Sequence, residues 1–121
     1  DARRFQINTL PAQDFAGLNA SIELFMELGP EAVESHIEGI VTEAVEWALA
    51  HEDVARLVTP ANPAQRGGVL AIAPRDPEGA SRALSEAKIH HSLREGAIRL
   101  SPHGYNTSGE MRRALALLGG I

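Results

Sequence analysis

The stretch Ala97-Ile98-Arg99-Leu100-Ser101-Pro102-His103-Gly104-Tyr105-Asn106-Thr107 decides how this chain is read. Ile98 and Leu100 alternate with Arg99 and Ser101, the period-two pattern of a strand with one buried face, so Arg99 is expected to point away from the aliphatic side. Pro102 and Gly104 stop that strand and turn the chain. Thr107 and Glu110 then have the spacing of a capping box: the hydroxyl takes the N3 amide, and the carboxylate reaches back to the cap amide. A guanidinium on a rigid strand beside a structured turn can clamp a carboxylate with two parallel hydrogen bonds. A solvated surface arginine is the other reading of the same pattern, and geometry alone leaves both open.

Outward from this stretch the chain reads as alternating layers. Residues 1–11 are expected to be extended, ending at Leu10-Pro11. Phe15, Leu18, Ile22, Phe25 and Met26 recur at helical spacing from Ala12 to near Leu28. Gly29 suits the left-handed position after a helix and Pro30 the first turn of the next. That next helix carries Val33, Ile37, Ile40, Val41, Ala44, Val45 and Ala48 on one stripe, its glutamates largely outside it. Strands are expected over Val54–Thr59 and Val69–Ala73. Asp76-Pro77 opens a helix as cap and N1. Strands over Ile89–Leu93 and Ala97–Ser101 follow, joined by Arg94-Glu95-Gly96, and a last helix runs from Ser108 to about Leu118. The fold class is therefore α+β: a small antiparallel or mixed sheet with helices packed on one face. The expected organisation is an extended segment over 1–11 and one α+β domain over 12–121.

Composition narrows the function classes. The 121 residues are 44% hydrophobic but only 4% aromatic, so the core must be aliphatic and alanine-rich. The formal charge is −5 with arginines scattered rather than clustered, which argues against a nucleic-acid partner. No cysteine is present, so neither a disulfide nor a thiolate nucleophile is available from this chain. No apolar run approaches a membrane span, no secretory leader is visible, and a cytoplasmic location is expected.

The residues also carry a family likeness. Arg99-Leu100-Ser101-Pro102-His103-Gly104-Tyr105-Asn106-Thr107, followed by an acidic helix start, resembles the C-terminal segment of the class V aminotransferase-like family. These are fold-type I, pyridoxal-phosphate-dependent enzymes related to cysteine desulfurase, kynureninase and isopenicillin N epimerase. The resemblance implies that Arg99 binds the substrate α-carboxylate. Arg94-Glu95-Gly96 matches the family's upstream Arg-x-Gly, which makes Arg94 a supporting active-site residue, with His103 beside it in the turn. Arg4-Phe5-Gln6-Ile7-Asn8-Thr9 resembles the family's Arg-Phe-Glu-x-Gly-Thr, with Gln6 and Asn8 in place of the acid and the glycine. By that likeness Thr9, with Asn8, touches the cofactor phosphate of the neighbouring subunit in a homodimer. The chain is then the C-terminal small domain of a larger enzyme acting on a small-molecule amino acid, and a cut piece of it, opening mid-motif at Asp1-Ala2-Arg3-Arg4.

Such an enzyme needs a lysine for the Schiff base and a phosphate-binding loop. Lys88 is the only lysine here and reads as a solvated residue between a helix and a strand. Gly67-Gly68 reads as a loop entry rather than a phosphate cradle, because no helix opens directly after it. The catalytic lysine is expected upstream of Asp1, so the chain alone should be inactive and bind no pyridoxal phosphate.

The resemblance further implies that a desulfurase would carry its cysteine between the strands holding Arg94 and Arg99. Only Glu95, Gly96, Ala97 and Ile98 stand there, which argues against sulfur transfer. Aminotransfer leads, with racemisation, epimerisation or a lyase reaction at Cα as the other family chemistries. The five histidines do not make a metal site. His90 and His91 would point to opposite faces of a strand, and His36 and His51 have no helical partner one turn away. His103 can orient a carboxylate or stabilise its own turn. A self-contained, non-catalytic ligand-binding or interaction module is the alternative that composition alone permits.

Overall fold

In the computed structural model, residues 11–120 are described. The expected extended segment over 1–11, with Asn8 and Thr9, therefore lies almost wholly outside the described residues. The chain divides into two compact units, 1–33 and 34–121.

In the first unit, helix α1 spans Ala12–Leu28. It begins where the Phe15 amide donates to the Pro11 carbonyl and ends where the Gly29 amide donates to the Phe25 carbonyl. Gly29 has φ +86°, a conformation that would strain any residue carrying a Cβ. Its carbonyl then accepts from Ala32 and Val33, starting helix α2, Pro30–Ala50, with proline at the first position as the sequence predicts.

The second unit holds the sheet. Its strands are β1 (Ala55–Leu57), β2 (Leu70–Pro74), β3 (Ser92–Arg94) and β4 (Ala97–Leu100), and its other helices are α3 (Pro77–Glu86) and α4 (Ser108–Gly119). All pairings are antiparallel, in the order β1-β2-β4-β3. One face of the sheet buries Leu70, Ile72, Ile98 and Leu100 against Val41, Ala44, Val45 and Ala48 of α2, Ala80 and Leu84 of α3, and Met111, Leu115 and Leu118 of α4. Among the described residues the fully buried core is aliphatic, as the composition predicts; Trp47 packs at its margin, partly exposed.

Two strands are shorter than their patterns. β1 stops at Leu57 because the Val58 and Thr59 amides both reach the Ala71 carbonyl, while Thr59 Oγ1 accepts from the Ala71 amide. Two residues opposite one is a bulge, and it ends the ladder. β3 starts only at Ser92, not at Ile89. The reason lies at the end of α3. The Ile89 amide reaches back to the Leu84 carbonyl and the Lys88 amide to Ser85, the paired bonds of a Schellman motif, with Lys88 at φ +58°. His91 then bonds through Nδ1 to the Ile89 carbonyl and through Nε2 to Ser81 Oγ, so it is tied to α3 before the strand begins.

Candidate functional site

The register of the sheet determines what stands on its second face. Ala71 on β2 and Ser92 on β3 are the direct partners of Arg99 on β4; Ala97 pairs with Arg94 and Ala73 with Arg56. Side chains of paired residues project to the same side. The face opposite the core therefore carries Arg56, Arg94 and Arg99 among alanines and a serine. Arg94 and Arg99 are diagonal neighbours on adjacent strands, a separation of roughly 7–8 Å between Cα atoms.

Arg99 is half-buried, with buried Ile98 and Leu100 on either side of it in sequence. Its cross-strand partners, Ala71 and Ser92, both have small side chains. No hydrogen bond or ion pair to another described residue occupies its donors. By contrast, Arg66 bonds to Thr42 Oγ1 and the Ala61 carbonyl, Arg112 to Glu43, and Arg113 to the Ala87 carbonyl. Arg94 is exposed and sits where the hairpin turns. Glu95 and Gly96 have φ +52° and +76°, the positive pair of a two-residue type I′ turn. The connection between β3 and β4 is thus rigid and minimal.

Beyond β4, residues 101–107 are held by a network centred on Asn106, which sequence reasoning passed over. Asn106 Oδ1 accepts from the His103 amide, and its own amide donates to the His103 carbonyl. The Asn106 carbonyl accepts from His36 Nε2 on α2, 70 residues away in sequence. An Asn three residues after a histidine in a Pro/Gly turn was the only local signal, and it names no distant partner. The predicted capping box is present, with Thr107 Oγ1 accepting from the Glu110 amide and Glu110 Oε2 from the Thr107 amide. That amide, with the Asn106 and Thr107 side chains, holds the Glu110 carboxyl below the usual carboxylate range. The His103 ring stacks on Tyr105 at 4.6 Å between centroids, and both are exposed.

The structure thus brings Arg94 and Arg99 to one sheet face and places His103 in the turn after β4. It does not bring the histidines into a ligand set: no metal-ligating cluster exists among the described residues. A separate groove of about 340 Å³ lies on the helical side of the sheet, with Ile40, Leu100 and Met111 in its lining and Lys88, His90 and Arg113 among its polar groups. Neither Arg94 nor Arg99 lines it. No helix among the described residues is long and apolar enough to cross a membrane.

A sheet face carrying Arg56, Arg94 and Arg99 on an otherwise aliphatic α+β domain agrees with the family likeness carried by the Arg99–Thr107 stretch. The chain is 33% identical over 118 residues to the uncharacterized aminotransferase YcbU of Bacillus subtilis (strain 168), a match covering 94% of this chain and 30% of that protein. That match agrees with the resemblance of the Arg99–Thr107 stretch to the class V aminotransferase-like family. The solved structure of a NifS-like protein superimposes with a TM-score of 0.75 at 22% identity, covering 94% of this chain and 34% of the other, and it corroborates the α+β fold. No protein-family model matches. The chain therefore spans about a third of the length of the relatives it matches.

Proposed function

We propose that this chain is the C-terminal small domain of a pyridoxal-phosphate-dependent aminotransferase acting on an amino acid, and that Arg99 holds the substrate α-carboxylate. The observation that carries the reading is the setting of Arg99. Its backbone lies on a strand hydrogen-bonded on both sides, small residues flank it, and no other described residue engages its guanidinium. An arginine so placed can offer two parallel N–H donors to a carboxylate with little conformational freedom left to lose. Arg94 adds positive potential from the neighbouring strand, and His103 stands in the turn beyond.

The described residues do not fit the cofactor on their own. Lys88 is exposed, and its backbone is committed to the left-handed turn that ends α3. Gly67 and Gly68 precede a strand, not a helix. The cofactor is accordingly assigned to the part of the enzyme outside this chain, and the chain's contribution is to bind and orient substrate. The homodimer, a cytoplasmic location and a contact of Thr9 and Asn8 with the neighbouring subunit's cofactor phosphate belong to the same reading. The cysteine-free two-residue turn between β3 and β4 favours aminotransfer over sulfur transfer, which needs a thiolate.

The test is kinetic and uses the full-length enzyme. Arg99→Ala is expected to lower kcat/KM for amino acids by more than about tenfold, since losing one partner of a desolvated charge pair costs about 2–5 kcal/mol. Arg99→Lys keeps the charge, loses the fork, and should bind substrate poorly while retaining the cofactor. Amines without a carboxylate should be almost insensitive to either change. Equal damage to both substrate classes would sink the clamp and leave Arg99 a structural residue.

A further inference from the structure

The register places a third arginine on the face of the proposed clamp, and the clamp does not use it. Arg56 on β1 pairs with Ala73, Ala73 lies two residues from Ala71 on β2, and Ala71 pairs with Arg99 on β4. Arg56 and Arg99 therefore stand on the same sheet face, one on either side of β2, with the methyl groups of Ala71 and Ala73 between them. Arg56 is exposed, and no hydrogen bond or ion pair to another described residue occupies its donors. The paired residues that complete this face, Ser92, Arg94 and Ala97, include no acid. Three cations without an anion among the strand residues form a field that draws in negative charge.

Spacing decides what the arginines can share. Strands lie about 4.8 Å apart and residues rise about 3.4 Å along them, so the Cα atoms of Arg56 and Arg99, two strands and two residues apart, are about 12 Å from each other. Side chains stand roughly perpendicular to a sheet, which holds the guanidiniums at a similar separation. A bidentate pair sets the carboxylate carbon about 4 Å from the guanidinium carbon. Arg94 and Arg99, at roughly 7–8 Å, leave no room for two such pairs end to end and instead suit one shared carboxylate. Arg56 and Arg99 leave about 4–5 Å between two carboxylate carbons, the length of an extended four- or five-carbon diacid. The alanine methyls between them give its methylene chain an apolar floor.

We propose that Arg56 binds a second carboxylate, on the side chain of the substrate, so that the amino acid is a dicarboxylic one of aspartate or glutamate length. The inference rests on the proposal that Arg99 holds the α-carboxylate. It makes Arg56 a specificity-determining residue, touching the substrate away from the reacting carbon.

The test compares ligands that differ in the distal group. Glutarate and valerate are five-carbon acids with two carboxylates and one. Titration calorimetry of the full-length protein should show glutarate binding at least about tenfold more tightly than valerate. Arg56→Gln should bring glutarate down to the valerate level. Arg56→Lys should keep part of the preference, because the charge remains without the fork. Arg56→Glu should reverse it, since the distal carboxylate then meets a like charge. Unchanged urea midpoints report that the variants are folded. In turnover, Arg56→Gln should lower kcat/KM for glutamate about tenfold more than for glutamine, whose side chain ends in a neutral amide.

Equal binding of glutarate and valerate by the natural protein, or binding of neither, overturns the inference. So does a glutarate preference that survives Arg56→Gln, or an equal loss of both ligands, which would make Arg56 structural. Arg99→Ala reads the underlying clamp separately, because it should weaken both acids. Valerate binding untouched by Arg99→Ala would count against the clamp, and the glutarate preference would still decide the role of Arg56. Full-length protein without amino-acid turnover would count against the proposed enzyme, and the calorimetry would still decide the second carboxylate site.

Discussion

The two faces of the sheet are made by the same strands and answer to different demands. One face presents Leu70, Ile72, Ile98 and Leu100, each closed off from water by the helices. The other presents Arg56, Arg94 and Arg99 among Ala71, Ala73, Ala97 and Ser92. On β4 the two demands alternate residue by residue. The lesson is that an unusual choice on the second face needs its own explanation, because nothing about core packing asks for an arginine between an alanine and a serine. The first face accounts for stability and the second is the one proposed here for recognition, and substitutions at adjacent positions should separate them.

The largest expected effect is on the first face. Ile98→Ala removes most of a side chain that is 1% exposed and leaves a cavity, at a cost of about 2–5 kcal/mol. Arg99→Ala, one residue on, should change folding stability by no more than about 0.5 kcal/mol, the range of surface substitutions without partners. Urea midpoints of the two variants of this chain measure the contrast. A midpoint for Arg99→Ala as low as that for Ile98→Ala would erase it. In the full-length enzyme the order should reverse for activity, with Arg99→Ala losing more than about tenfold in kcat/KM for amino acids while Arg94→Ala loses less. Arg94 stands at an edge strand beside the turn, where the guanidinium has fewer neighbours to order it.

Much of this could be read from the residues, and the parts that could not share a cause. Alternation at Ile98-Arg99-Leu100, the capping box of Thr107 and Glu110, Gly29-Pro30 and Asp76-Pro77 are local signals, and the structure agrees with each. The failures came where distant groups intervene or a turn overrides a pattern. His91 looks like a strand residue until Ser81 captures it, and Thr59 until it closes the bulge against Ala71. The bond from His36 to the Asn106 carbonyl had no local signal because the two are distant in sequence. The face on which Arg99 stands was legible from period two, but its pairing with the small residues Ala71 and Ser92 depends on register and was not.

The turn that follows β4 offers a finer contrast, because there the polar groups are satisfied within the chain rather than held out to a ligand. Thr107→Ala removes the acceptor for the Glu110 amide and should destabilise the chain by about 1 kcal/mol, a typical loss for a helix cap. Glu110 adds a pH signature. Its folded-state pKa lies below its ordinary value, so its contribution is fully present above that ordinary value, near pH 4.5, and fades as pH falls through the lower folded value. The stability difference between the natural chain and Glu110→Gln should accordingly shrink on acidification from about pH 6 to below the ordinary glutamate range. A difference that is constant across that window would mean the carboxylate's charge does not matter to the cap.

The smallest effect, and the one of opposite sign, is expected at Lys88. Its backbone sits at φ +58°, where an L-residue with a Cβ is strained by roughly 1–2 kcal/mol. The bonds from Lys88 to Ser85 and from Ile89 to Leu84 hold it there, so the strain is maintained by the rest of the motif. Glycine relieves it but brings extra freedom to the unfolded chain, which takes back about 0.4–1 kcal/mol. Lys88→Gly should therefore stabilise the chain by a net amount of about 0.5 kcal/mol, read as a raised urea midpoint with an unchanged slope. In the full-length enzyme the same variant should keep its cofactor and its turnover. Loss of the cofactor absorbance on replacing Lys88 would make this lysine part of the active centre, and the proposed division between a sheet face for recognition and a purely structural helix end would fail at that point.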